Sequence, residues 1–94
     1  MQRASIGSTG TTSAIEAKAG SAVVSIDSGG STYQLQIKLK RTTSNWKTIP
    51  FPNASGTFVT STSDSVCIEG PGNVEYRLNV TSFVAEASIE LGSY

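Results

Sequence analysis

Two long stretches of the chain alternate apolar and polar side chains residue by residue. In residues 32–41 the apolar positions are Tyr33, Leu35, Ile37 and Leu39. In residues 74–83 they are Val74, Tyr76, Leu78 and Val80. A period of two is typical of a β-strand with one face buried and one face in water. We therefore predict two long strands here, with these eight side chains in the core.

Turn-forming residues divide the rest of the chain into shorter strands. The strongest turn signals are Asp27–Gly30 and Gly70–Gly72, where glycine allows positive φ. We predict further strands over residues 13–18, 21–27, 46–49, 56–61, 64–69 and 86–91. In the strand predicted over residues 21–27, adjacent Val23 and Val24 do not decide which side chains face inward. Ile89 and Leu91 are predicted to join the core. Seven or eight short strands without a helical period predict an all-β fold: a small two-layer antiparallel β-sandwich or jelly-roll-like domain.

The first twelve residues differ in composition from the rest. They are rich in Ser, Thr and Gly, and Ile6 is their only large branched apolar side chain. Such a segment buries too little surface to offset its ordering entropy unless something else holds it. We predict a flexible N-terminal arm over residues 1–12 and a single β-sandwich domain over residues 13–94.

The composition excludes most catalytic chemistry. The 94 residues contain no histidine and one cysteine, so Ser-His-Asp and Cys-His arrangements and zinc clusters are impossible. Cys67 shares its parity with Ser65 and Glu69, and we expect an inert, partly covered thiol. The only other aspartate besides Asp27 is Asp64, so a plain turn is a better interpretation of residues 27–30 than a Ca²⁺ loop. We predict no enzymatic activity, no metal and no cofactor.

Charge and hydropathy limit the partners. Seven basic and seven acidic side chains cancel, so no overall field attracts nucleic acid or an anionic membrane. No apolar stretch approaches the ~20 residues of a membrane-spanning helix, and Met1 leads into Ser, Gly and Thr rather than a signal peptide. We expect synthesis in a cytoplasm and contact with neither membrane nor nucleic acid.

The C-terminal segment from Gly70 to Phe83 resembles small structural proteins of tailed bacteriophages. Those proteins commonly end with a pattern like E-P-G-V-x-Y-R-L-x-x-T-S/A-Y-T-S-G-T, followed by a strand closing in R-L. The matching residues here are Pro71, Gly72, Val74, Tyr76, Arg77, Leu78, Thr81, Ser82 and Phe83, with Ile89 and Leu91 in the closing strand. Residues 44–49 also resemble the D-G-x-x-W hairpin often found mid-chain in such proteins. The chain departs from the pattern at residues 84–86, where the family's Thr-Ser-Gly turn is absent, and in lacking the Asp-Gly pair.

The resemblance implies a virion component that binds rather than catalyses. The first function it implies is a capsid decoration or cement protein that binds and stabilises the head shell. The alternative is a neck, tail or fibre component, or a carbohydrate-binding module on the virion surface. The expected partners are the major capsid protein or other virion proteins, with homo-oligomers or repeated copies on the shell. The protein would be assembled into the virion in the host cytoplasm.

Candidate interface residues come from apolar and basic side chains that the core does not use. The parity of residues 74–80 places Phe83 outside, so either a β-bulge rotates its ring into the core or the ring is displayed to a partner. The basic group near Trp46 favours a solvated charged face over a single-stranded nucleic-acid groove, which needs a row of aromatics. The candidate interface residues are Ile6, Lys38, Lys40, Arg41, Trp46, Phe83 and Val84.

Overall fold

The computed structural model describes residues 2–39 and 45–92, and every regular element in these ranges is a β-strand. No helix of the described residues has the length and apolarity needed to cross a membrane. In chain order the strands are β1 (Gln2–Ile6), β2 (Gly10–Thr11), β3 (Ile15–Glu16), β4 (Ser21–Asp27), β5 (Thr32–Leu39), β6 (Lys47–Ile49), β7 (Phe51–Pro52), β8 (Phe58–Val59), β9 (Val66–Pro71), β10 (Val74–Ser82) and β11 (Ala87–Gly92).

The strands form two main antiparallel sheets. Sheet I has the order β1-β11-β4-β9. Sheet II has the order β2-β10-β5-β6. The short strand β3 also pairs directly with β10, at different residues from β2. A separate hairpin consists of β7 and β8. The fold class predicted from the alternation, a small antiparallel β-sandwich, is confirmed.

The two long alternating stretches are neighbours in sheet II. In the register of β5 with β10, Leu35 pairs with Leu78 and Tyr33 with Val80. These four side chains and Tyr76 are almost completely buried, as the alternation predicts. Two core predictions on β5 require correction: Ile37 is only partly buried and Leu39 is 61% exposed. Alternation determines on which side of the sheet a side chain lies, but not whether the opposite sheet covers it. Leu39 is the last residue of its strand, where the opposite sheet no longer covers it.

Sheet I supplies the facing layer of the core. Ile89 pairs with Ile26, and Leu91 pairs with Val24. Val24 is fully buried and Val23 only partly, which resolves the inward face of β4. The predicted core positions Ile89 and Leu91 are confirmed, whereas the equally buried Val24 and Ile26 had not been assigned from the sequence.

The N-terminal residues differ from the predicted flexible arm. β1 is an edge strand of sheet I and pairs with β11 along all five of its residues. The Gln2 amide donates to the Glu16 carbonyl and accepts from the Glu16 N–H, both at 2.8 Å, so it joins β1 to β3 in sheet II. Further on, the Thr12 hydroxyl accepts a 3.1 Å hydrogen bond from the Leu78 N–H. The segment is ordered by backbone partners far away in sequence, which its own composition does not reveal.

Two tyrosines of sheet II reach across the core to both ends of β9. The Tyr33 hydroxyl donates to the Asp64 carbonyl at 2.6 Å, and the Tyr76 hydroxyl donates to the Pro71 carbonyl at 2.7 Å. Burial raises the pKa of both phenols, for Tyr76 from 10.0 to about 12. Gly70 lies directly against the Tyr76 hydroxyl, and a Cβ at this position would overlap it. Sheet II therefore holds part of sheet I in place.

The hairpin of β7 and β8 lies beside this core. Phe51 is 1% exposed, and its ring stacks on Tyr33 with centroids 5.8 Å apart. The Ala54 N–H donates to the Asp64 carboxylate at 3.0 Å, which connects the hairpin to the segment before β9. The sequence predicted one strand over residues 56–61 and missed Phe51, because Pro50 and Pro52 around it are typical of chain breaks.

Candidate interaction surface

An apolar pair is displayed on the loop between β10 and β11, residues 83–86. Phe83 is 39% exposed and Val84 is 67% exposed. The register of β10 with β5 does shift between Val80 and Ser82, as in a β-bulge. This irregularity does not carry Phe83 into the core. Of the two alternatives left open by the sequence, the structure shows display of the ring.

The displayed loop is held by one buried hydroxyl. Ser31 is fully buried. Its oxygen accepts hydrogen bonds from the Val84 N–H at 2.8 Å and from the Ala85 N–H at 3.2 Å. Its proton is donated to the Ala85 carbonyl at 2.7 Å. A serine hydroxyl has one donor and two acceptor sites, so all of its capacity is directed to this loop.

The turn between β4 and β5 packs tightly beneath the same loop. Gly29 has φ of 58°, and a Cβ there would run into the Glu86 carbonyl oxygen. Only glycine combines this backbone conformation with so close an approach. On the other side of the turn, the Ser28 hydroxyl donates to the Ser63 carbonyl at 2.6 Å and the Ser28 N–H donates to the Ser65 hydroxyl at 3.1 Å.

Three segments therefore form one hydrogen-bonded end of the sandwich, which we call the apical surface: residues 28–31, 63–65 and 83–86. The described residues contain no buried side-chain nitrogen or oxygen without a hydrogen-bond partner. They also contain no group of three His, Cys, Asp or Glu side chains that would suit a metal ion. Ser28 and Ser31 bond to backbone and to other hydroxyls rather than to a base. The apical surface is organised to present shape and apolar area.

Two of the predicted residues, Lys38 and Trp46, lie elsewhere, on the outer face of sheet II. The Arg77 guanidinium carbon is 4.3 Å from the centroid of the Trp46 ring, and the Lys38 ammonium is 5.7 Å from it. Lys38 also forms a 3.4 Å ion pair with Glu75. Burial lowers the pKa of the Arg77 guanidinium. Trp46 is half-buried and belongs to a cation–π cluster, so this face has no row of exposed rings among the described residues.

The remaining candidate residues separate from one another. Ile6 packs partly buried against the core, because it lies in β1 opposite Ala87 and not on an arm. Lys40 and Arg41 lie outside the described residues. Cys67 lies on the outer side of β9 and is exposed, where we expected a partly covered thiol; its Sγ is 3.5 Å from the Ser25 hydroxyl oxygen.

Sequence reasoning found the displayed pair but missed the residues that support it. The sequence named Phe83 and Val84 as candidate interface residues, and parity left open whether the Phe83 ring enters the core or is displayed. Ser31 and Gly29 were interpreted only as turn residues, although they determine the position of the loop. Ser31 accepts hydrogen bonds from Val84 and Ala85, which follow it in the chain by 53 and 54 positions. No local sequence pattern indicates so distant a contact.

The chain was also compared with known proteins. No protein-family model matches it, and neither does any curated protein or solved structure.

Proposed function

We propose that this protein is a non-enzymatic structural component of a bacteriophage particle, in the first place a decoration or cement protein of the head shell. The resemblance of residues 70–83 to phage structural proteins motivates the proposal. The observation that carries it is the exposed pair Phe83 and Val84 on a loop supported by Ser31. An apolar pair held in place by buried hydrogen bonds suits a protein whose role is to bind.

Preorganisation is the physical reason why this loop suits binding. Ordering a flexible side chain or loop at an interface costs about 0.5–1.5 kcal/mol per side chain. The contacts of Ser31 and Gly29 hold the backbone of the loop, so its ordering is part of the folding of the free protein and not of binding. Burial of apolar surface then contributes about 25 cal/mol per Å². Many copies on a repeated shell bind with an avidity that one contact of this size lacks.

The partner in this proposal is the major capsid protein or another virion protein. It would present an apolar depression to Phe83 and Val84. A neck, tail or fibre location uses the same surface with fewer copies. A carbohydrate-binding module is less well supported, because Trp46 packs against Arg77 and the described part of that face has no further exposed ring.

A reconstitution experiment tests the apical surface. Particles lacking the protein are mixed with wild-type protein or with the double variant F83S/V84S, and bound copies are counted after sedimentation. We expect the double variant to lose at least ~10-fold in affinity, since apolar burial of two side chains is removed. F58S is the matched control, because Phe58 is 69% exposed but lies on the β7–β8 hairpin.

Each outcome has a defined meaning. Loss of binding by F83S/V84S with full binding by F58S supports the proposal. Equal binding by all three proteins contradicts the assignment of the surface, and no binding of the wild type to any particle contradicts the virion role. Cryo-electron microscopy of the particle then separates the locations: hundreds of copies on the shell mean decoration, and about a dozen or fewer at one vertex mean neck or tail.

A further inference from the structure

The edge of β9 that faces away from β4 is the longest strand edge without a backbone pairing partner in the described residues. β9 pairs with β4 on one side only, and it is the last strand of sheet I. The hairpin strand β7 lies near β9, yet no backbone hydrogen bond joins the two in the described part of the chain. In an antiparallel edge strand every second residue directs its N–H and C=O away from the sheet. β9 therefore offers a row of backbone donors and acceptors.

The other described edges are shorter, and each has a feature that limits pairing. β1 is connected to β3 by the Gln2 amide. β6 has three residues, begins with Lys47 and is followed by Pro50, and β2 and β3 have two residues each. Natural sheets use short strands, lysine and proline to prevent pairing of edges. β9 has six residues and no basic side chain, and its only proline is the last residue, Pro71.

The side chains of β9 are arranged for pairing with a copy of themselves. Val66 and Ile68 are half-buried on the core side, whereas Cys67 and Glu69 are exposed on the outer side. We propose that two copies of this protein associate through β9, antiparallel, about a two-fold axis at Cys67. Val66 then lies opposite Ile68 of the second copy, and the two apolar inner faces continue across the axis. This inference is independent of the phage role.

The charges and sizes along β9 select this register. An axis at Ile68 would pair Ile68 with its own copy but would place Val66 opposite Gly70 and Glu69 opposite Cys67, which leaves one apolar pair in place of two. An axis at Glu69 would place two carboxylates opposite each other, and like charges in directly opposed positions are destabilising. With the axis at Cys67, each Glu69 lies opposite Ser65, which is exposed and uncharged. Each protomer then contributes its four strands to one continuous eight-stranded sheet.

The dimer is expected to be weak in dilute solution. A single strand pairing buries much less than the ~1,600 Å² of a standard interface. Its population therefore rises with protein concentration, and binding to a repeated surface would strengthen it by mass action.

The first test is sedimentation of the full chain under reducing conditions. The concentration rises to about 1 mM, because an interface well below ~1,600 Å² is expected to be weak. We expect the wild type and C67S to reach a dimer with concentration. C67K places two ammonium groups opposite each other at the axis, so we expect it to remain monomeric. Because Cys67 is exposed, both variants should fold, which circular dichroism verifies.

The second test uses the cysteine as a reporter of register. Diamide takes up the hydrogens of two thiols as they form a disulfide, which requires Cα atoms within about 7 Å. We expect the wild type to cross-link rapidly. C67S/P71C is the matched control, because it keeps Glu69: its cysteine is exposed on the same side of the same strand, but position 71 lies eight residues from its own copy, about 26 Å along the strand.

The proposal is overturned if the wild type stays monomeric throughout the concentration range. It is also overturned if C67K dimerises like C67S, since the dimer would then use another surface. Equal cross-linking of wild type and C67S/P71C would mean random collision or another register, and would contradict the axis at Cys67.

Discussion

The outer faces of the two sheets use their polar groups in opposite ways. On sheet II, cross-strand pairs bond to each other: the Asn79 amide donates to Gln34 at 3.0 Å, and the Arg77 guanidinium donates to Gln36 at 2.7 Å. On sheet I, the described outer face consists largely of small side chains, with one exposed ion pair of 3.6 Å between Arg3 and Glu90. A face whose donors and acceptors are already paired gains little from a partner.

This difference between the outer faces indicates which parts of the protein are available to bind partners. Sheet II carries the long β5–β10 pairing and most of the largest buried side chains, including Tyr33 and Tyr76. Sheet I carries the open edge of β9. The loop of residues 83–86 leads from sheet II into sheet I and displays Phe83 and Val84 where the layers meet. The predictions below test this contrast between a closed layer and an open one.

The largest expected effect separates the interiors of the two sheets. Leu78→Ala removes a fully buried side chain from sheet II, and we expect a loss of about 2–5 kcal/mol in the free energy of unfolding. Ile68→Ala in β9 should cost clearly less, because part of that side chain is already in water. Urea unfolding monitored by Trp46 fluorescence measures both. Equal costs would show that Ile68 is as fully buried as Leu78 and would contradict the description of β9 as an open edge.

Ser31→Ala tests the connection between the layers. The change leaves the backbone groups of residues 84 and 85 without their buried partner, and we expect a loss of about 1–3 kcal/mol in the free energy of unfolding. Amide hydrogen exchange should accelerate at residues 84–86 more than in β10. Ser55→Ala is the control, since its hydroxyl bonds only to Asn53 within an exposed hairpin turn. Unchanged exchange at the loop would show that Ser31 does not hold it.

Tyr76→Phe tests how sheet II holds the end of β9. Removing the hydrogen bond to the Pro71 carbonyl should lower the free energy of unfolding by about 0.5–1.5 kcal/mol at neutral pH. It should also increase amide exchange at the C-terminal end of β9. If exchange rises equally at both ends of the strand, the tyrosine has no local role.

Alkaline pH provides a second measurement on the same tyrosine. Burial raises the pKa of Tyr76 from 10.0 to about 12, so the folded state holds the phenol proton more tightly than the unfolded state. The associated stability is complete below pH 10 and is lost as the pH rises from 10 through 12. We expect the wild type to lose more stability than Tyr76→Phe between pH 9 and 11.5. Identical losses would show that this phenol is not buried.

The smallest expected effect concerns the polar pairs of sheet II. In a double-mutant cycle, Gln34→Ala and Asn79→Ala should show a coupling of about 0.2–1 kcal/mol. Arg3→Ala and Glu90→Ala on sheet I should show less, because both side chains of that pair are exposed. The contrast between the two outer faces is wrong if the Arg3–Glu90 coupling is the larger one.

The sequence by itself determined the fold class and the central pair of strands. Apolar and polar side chains alternate along β5 and β10 because one face of each strand is buried. This alternation can be recognised in each strand alone, without knowing which strand pairs with it. The same parity singled out Phe83 but left open whether its ring enters the core, and the turn at residues 27–30 was visible from its glycines. These features depend on residues that are close together in the chain.

Only the tertiary structure decided what depends on distant neighbours. Residues 2–6 become a strand because β11 supplies backbone partners, although their composition indicated an arm. Leu39 keeps its parity but lies 61% exposed at the end of its strand. Ser31 holds a loop more than 50 residues away, and β9 is an edge because nothing pairs beyond it among the described strands. Long-range pairing and the reach of the opposite layer set these outcomes, and neither leaves a local mark in the sequence.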